Sequence, residues 1–250
     1  MKKHLSLLLI LFLLTTSQSL RAQNDSNLGR LSKNDWSSIL RGNQPLMTRK
    51  GEAELRGTPF LIDQWAEGAL VVSDSLIYNN KVNRYKLNVE NQEIWIRLEN
   101  KDSLVLTDSR IVGLNLYTDF STLNFIKIQF PDDKKQPTRF VQILFKGTKF
   151  SLGKCYSKKF SPANAIDKGI IVVGKVYDSF DEYTSFYLIN EKNEEQKVAL
   201  KKSAFLKLYA PLSEKQKERL DTFCKNNKIS NTLEEKEAIA LVQYLDSIVE

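Results

Sequence analysis

The chain has 250 residues, 42% of them apolar and 27% charged, with ten Gly, six Pro, two Cys and one His, at a formal net charge of +7. That composition suits one large or two small packed cores and excludes the disordered, collagenous and disulfide-dense classes. The single histidine, His4, lies in a segment expected to be removed. Catalytic triads and zinc sites built on imidazole are then excluded, and two cysteines cannot supply a four-cysteine metal site.

The amino terminus reads as a secretory signal over residues 1–22. Lys2 and Lys3 form a basic start, Leu5 to Leu14 a nearly pure Leu/Ile/Phe stretch, and Thr15, Thr16, Ser17 and Gln18 a polar exit. At about 1.5 Å per residue the stretch covers roughly half of a bilayer core of about 30 Å, so it targets the chain rather than anchoring it. Leu20-Arg21-Ala22 sets the cleavage before Gln23, although Leu20 is larger than the residue usual at that place. No cysteine follows the apolar stretch, which removes the lipoprotein route, and no later run is long and apolar enough to cross a bilayer. The expectation is an exported protein of the periplasm or outer-membrane periphery, with no transmembrane segment after cleavage. Loss of Lys2, Lys3 and Arg21 takes three positive charges from +7 and leaves +4. Lysine pairs such as Lys134-Lys135, Lys158-Lys159 and Lys201-Lys202 stand mostly near acids, as on a solvated surface, so no nucleic-acid partner is expected.

Residues 23–53 form a polar lead-in. It carries a predicted short helix, capped by Asn34, with Trp36, Ile39 and Leu40 on one side and Gly42 at its end. From 54 to 200 the apolar period is two. Tyr85, Leu87 and Val89 alternate with polar neighbours, as do Ile94, Ile96 and Leu98, then Ile126, Ile128 and Phe130. Val141, Ile143 and Phe145 continue the pattern, with Phe150 and Leu152 beyond Gly147. Turn clusters separate these runs, and no amphipathic helix falls between them to carry a parallel crossover. The sheets are therefore expected to be antiparallel, with room for two subdomains divided near 115–123. A last hairpin is predicted at Thr184 to Ile189 and Glu195 to Leu200, turning over Glu191-Lys192-Asn193.

From 201 to 250 the period is helical. Ser203 to Tyr209 predicts a short helix stopped by Pro211. Ser213 with Gln216 and Thr232 with Glu235 fit two capping boxes, opening helices whose stripes carry Leu220, Phe223 and Cys224, then Ile239, Val242, Leu245 and Val249. The fold class is mainly β, antiparallel sheets and hairpins with a C-terminal helical segment, α+β overall.

Lys50-Gly51, Gly57-Thr58-Pro59-Phe60-Leu61, Trp65 with Gly68, the Tyr85 strand, Phe145-Lys146-Gly147 with Leu152, Phe205 to Tyr209 and a closing helix at Tyr244-Leu245 follow one another in a familiar order. The layout resembles a group of uncharacterised secreted β-rich envelope proteins of Bacteroidota-type Gram-negative bacteria, over roughly residues 51 to 247. The resemblance implies an envelope location and a β-rich body ending in helices. It implies no activity and no site residues.

Few constellations carry chemistry. Gly169 to Lys175 keeps the spacing of a phosphate loop, but Ile170, Ile171, Val172 and Val173 resist the curled backbone that a phosphate needs, and Val176 replaces the metal-binding hydroxyl. The stretch reads as a strand. Asp178, Asp181 and Glu182 are the densest acids outside hairpin turns and read first as a polar loop, with a loose Ca²⁺ site or a glycosidase carboxylate pair as the alternatives. Ser151 has Gly153 after it but Lys149 before it, which breaks the nucleophile-elbow pattern. Trp65, Tyr78, Tyr85, Trp95, Tyr183, Phe186 and Tyr187 suit a sheet core better than a ligand platform. Cys155 and Cys224 admit either a disulfide or two buried thiols. No catalytic residue is assigned, and no cofactor or metal is expected. The reading is an exported non-catalytic envelope protein, a binding or structural module whose partner is an envelope protein or glycan. A carboxylate-dependent enzyme acting on glycans and a carrier of an apolar ligand are its alternatives.

Overall fold

A computed structural model describes residues 54–73, 76–167, 172–208 and 212–248. The signal, the lead-in with its predicted helix, Gly169 to Ile171 and Val249 lie outside the described residues.

Period-two patterning yields one large sheet. Its central strands are β2 (Glu67–Ser73), β7 (Gly113–Tyr117), β8 (Thr122–Gln129), β9 (Thr138–Lys146) and β10 (Phe150–Ser161). β3 (Leu76–Asn79) adds to β2 at one end, and β13 (Asp178–Asn190) to β10 at the other. The free side of β13 takes β1 (Leu55–Arg56) near its start and β14 (Glu195–Val198) near its end. Every pairing is antiparallel except that of β1 with β13. β1 needs no crossover helix, because it reaches β13 from far along the chain. It ends where Gly57, at φ +82°, turns the backbone into Pro59. The stretch 115–123 is the β7–β8 hairpin within this sheet.

A second sheet of three strands, β4 (Arg84–Asn88), β5 (Glu93–Arg97) and β6 (Ser103–Leu106), packs on one face of the first. Tyr85, Leu87, Ile94, Ile96 and Leu106 point inward and meet Leu70, Leu114, Leu116 and Phe125. Gln92 fastens the two sheets. Its amide donates to the carbonyls of Val89 (2.9 Å) and Tyr156 (3.0 Å), and its oxygen accepts from the Phe140 N–H (2.9 Å).

The helices α1 (Lys202–Leu208), α2 (Glu214–Asn226) and α3 (Glu235–Ile248) cover another part of the same face. Phe205, Leu220, Cys224, Leu241, Val242 and Leu245 bury against Leu152 and Leu188 of the sheet. The predicted capping box at Ser213 is present, with the Gln216 N–H donating to Ser213 Oγ and the Ser213 N–H to Gln216 Oε1. The one at Thr232 is corrected. α3 starts later, because Glu234 occupies the capping place: its carbonyl accepts from Ala238, and its N–H donates to Glu237 Oε2 at 2.7 Å. Thr232 instead bridges to Lys201.

Two contacts set α3 on the sheet. Lys154 Nζ donates to Glu235 Oε2 at 2.6 Å. Asp246 accepts from the Thr148 N–H (2.8 Å), the Thr148 hydroxyl (3.0 Å) and the Lys149 N–H (3.0 Å) in the β9–β10 turn. Gly147 permits this approach, since a Cβ there would stand 2.7 Å from Asp246 Cγ. The opposite face of the sheet has its own smaller core of Ile128, Phe130, Val141, Cys155, Tyr187 and Ile189. Among the described residues, no helix is long and apolar enough to cross a membrane.

Candidate functional site

β10 and β13 outrun their neighbours. They pair without a register shift from Phe150↔Asn190 to Ser161↔Ser179, whereas β9 accompanies β10 only over Ser151 to Cys155. The remainder is a two-stranded ribbon standing off the sheet. Its tip holds the short strands β11 (Ile166–Asp167) and β12 (Val172–Val173). Side chains along one face stabilise it locally. Phe160 and Phe180 meet edge to face at 5.6 Å, and Lys158 pairs with Glu182 at 2.6 Å. Lys158 also donates to the Phe60 carbonyl at 2.8 Å, which ties the stem to the body.

The acids singled out in the sequence lie here, and their reading as a polar loop is corrected: Asp178, Asp181 and Glu182 belong to β13. Aromatic and β-branched neighbours, Phe180, Tyr183 and Thr184, favour the strand strongly enough to carry the acids along. Asp178 accepts from the Ala163 N–H at 2.7 Å and Asp181 from the Ser179 hydroxyl at 3.1 Å. Consecutive strand residues face opposite ways, so Asp181 and Glu182 lie on opposite sides of the ribbon, both exposed. Among the described residues, no three His, Cys, Asp or Glu side chains gather as a metal-binding group.

The end of the phosphate-loop spacing also serves the ribbon. Val172 and Val173 are in β12, and Lys175 Nζ donates to Ser161 O (2.9 Å), Ser161 Oγ (2.9 Å) and Ser179 Oγ (2.8 Å). Ser151 is in β10, paired with Ile189 and Lys146.

The aromatic residues divide. Tyr85 is fully buried, and burial raises the pKa of its hydroxyl well above the ordinary value. Trp65, Trp95 and Phe60 pack with Lys86 and Arg97 beside the small sheet. Phe186 lies against the helix-side core, and Tyr187 is buried on the other face. Of the seven aromatic residues singled out in the sequence, Tyr183, on the ribbon, is the one largely exposed. Cys155 and Cys224 are free thiols on opposite faces of the sheet, and burial pushes the Cys155 thiol up, away from the reactive thiolate.

The feature that sequence reasoning missed is a gap in the edge of β13. The Asp178 N–H donates to Glu54 O at 2.9 Å and the Asn190 N–H to Glu194 O at 3.1 Å. With no bulge between them, every second residue turns its backbone groups to this same edge. β1 stops at the level of Ser179, and β14 begins at that of Phe186. The N–H and C=O groups of Glu182 and Thr184 therefore face outward with no strand beside them among the described residues. Around the gap and the tip stand exposed apolar side chains: Leu55, Ile166, Val173, Val176 and Tyr183. The sequence signal was the pair of long strands, obscured because the acids at 178–182 break the apolar alternation.

No family model, curated protein or solved structure matches the chain.

Proposed function

We propose that this is an exported, non-catalytic protein of the cell envelope that binds an extended segment of another envelope protein along the open edge of β13. The observation that carries this reading is the pair of outward backbone donors and acceptors at Glu182 and Thr184, set among exposed apolar side chains. An unpaired edge is a template for strand addition: main-chain hydrogen bonds supply affinity and neighbouring side chains supply selectivity. Val176 is 60% and Tyr183 54% exposed, apolar surface that a bound strand would cover. Export rests on the basic start and apolar stretch of the amino terminus, and the resemblance to secreted envelope proteins accords with it. A protein partner is favoured over a glycan because the open groups are peptide groups. The carboxylate-enzyme alternative loses support from the opposed directions of Asp181 and Glu182, since a glycosidase needs both acids about one substrate bond.

The test uses a photo-crosslinking amino acid at Tyr183 and, as control, at Lys217 on α2, in cells making the full-length chain. Adducts are expected from the ribbon position alone and should disappear in Glu182→Pro. Proline there removes an outward N–H and leaves the ladder to β10 intact. Equal adducts from Lys217, or adducts that survive Glu182→Pro, would refute the proposal.

A further inference from the structure

The face of the large sheet turned away from the helices carries a second feature, independent of the ribbon edge. An open trough of about 690 Å³ crosses it, bordered by the β9–β10 turn and the β13–β14 turn. Its floor is formed by Val71, Ile126, Ile143 and Ile189, one residue from each of β2, β8, β9 and β13. Register explains the alignment. Val71 pairs with Gly113 and Gly113 with Ile126, so the glycine leaves the two branched side chains adjoining across β7. Ile143 pairs with Gly153, and Val141 and Ile189 lean over that glycine, where a Cβ would stand 2.5 Å and 2.9 Å from them. Hence Val141 and Ile189 close over Gly153 as buried packing, and the partly buried Val71, Ile126 and Ile143 carry most of the apolar surface that the trough opens.

The charge along the trough is uneven. Lys146 and Lys149 line it against one acid, Glu191, whereas Lys127 borders it by its backbone and carries its ammonium over the Phe140 ring on the opposite face. Lys146 pairs with Ser151, which pairs with Ile189, placing the lysine on the trough side beside the apolar floor. Neither Lys146 nor Lys149 has a carboxylate within ion-pair distance among the described residues. Asp246, nearby, is occupied by the Thr148 and Lys149 backbone. The volume falls in the range of about 300–1,000 Å³ typical of small-ligand sites, whose polar groups are few and fix orientation.

We infer that the trough binds a long-chain carboxylate as a monomer, its hydrocarbon tail along Val71, Ile126, Ile143 and Ile189 and its carboxylate at Lys146 and Lys149. An uncharged chain would leave these ammonium groups without a counter-charge, and a short anion would leave the floor wet.

The test is a titration of the protein, expressed from the full-length sequence, with palmitate, hexadecanol and acetate, read by displacement of a fluorescent polyene fatty acid. Saturable binding of one palmitate per chain is expected, with hexadecanol at least fivefold weaker and acetate without effect. The double variant Lys146→Glu, Lys149→Glu should lose at least tenfold in affinity, while Lys215→Glu on α2 and Glu182→Pro should leave it unchanged. Lys146 is exposed and Lys149 half-buried, so the double variant keeps its fold, and an unchanged near-ultraviolet circular dichroism spectrum verifies this. Absence of saturable binding, equal binding of hexadecanol, or an unaffected double variant would overturn the inference. So would co-sedimentation with phosphatidylglycerol vesicles without uptake of palmitate, which would assign the lysines to a membrane surface instead.

Discussion

Strands β10 and β13 each pass through two environments. Their Leu152–Leu188 rung is buried beneath Phe205, Leu241 and Leu245, while their Phe160–Phe180 rung is partly exposed, with its rings edge to face and the Lys158–Glu182 pair beside it. Full burial of one such aliphatic or aromatic side chain contributes about 1.5–3 kcal/mol, whereas a cross-strand pair on an open ribbon contributes only about 0.2–1 kcal/mol. Stability therefore concentrates where the sheet is covered. The ribbon, held by its stem, is free to keep apolar groups and peptide edges exposed for another purpose. A two-stranded ribbon is marginal alone, and this one persists because the same strands continue into a stable sheet.

The largest expected effect is at the covered end. Phe205, fully buried beneath α2 and α3, should cost about 3–5 kcal/mol on substitution to Ala, read as a lower urea midpoint with an unchanged slope. Retention of the wild-type midpoint would mean that the helices contribute little to the body. Gln92→Leu should follow at about 2 kcal/mol. It strands the buried Phe140 N–H and two carbonyls that the amide satisfies, and hydrogen exchange at Phe140 should speed up with it.

Asp246→Asn tests the contact between α3 and the β9–β10 turn. Burial pushes this carboxyl up, but the N–H groups of Thr148 and Lys149 and the Thr148 hydroxyl outweigh it and hold the carboxyl below its ordinary value. A depressed carboxyl stabilises the fold at pH above its unfolded pKa, and that contribution fades as pH falls through the folded one. The variant should therefore be weaker by about 1 kcal/mol at pH 7, with the difference from wild type fading as pH falls through the depressed folded-state pKa in paired urea titrations. A difference that persisted in acid would point to shape rather than charge. The smallest expected effects sharpen the contrast from the other side. Val176→Ser and Tyr183→Ser on the ribbon should each move stability by less than about 0.5 kcal/mol, since neither side chain is buried. A larger loss would make the ribbon part of the stability core.

Much of the fold was legible in the chain. The alternation at Tyr85, Ile94, Ile126 and Val141 and the capping box at Ser213 depend on neighbours a few residues away, and local rules sufficed. The acids of β13 misled because charged residues mark loops only when nothing else holds them in a strand. Here β10 does so across its whole length. The displaced cap of α3 has a similar cause. Thr232 had a suitable side chain, but the backbone on either side of it is bridged to a distant segment, Lys202 N–H donating to Asn231 O and Leu233 N–H to Leu200 O.

The sequence by itself determined that the described body is mainly β with helices after it, because a side-chain period is a property of successive residues. It also determined which side chains exist along the chain, and so which local patterns could be read at all. Only the tertiary structure decided where β1 and β14 stop along β13, and that Val71, Ile126, Ile143 and Ile189 line one trough. An unpaired edge and a shared floor are relations between segments distant in the chain, fixed by strand register and by what each strand meets, and no local pattern encodes them.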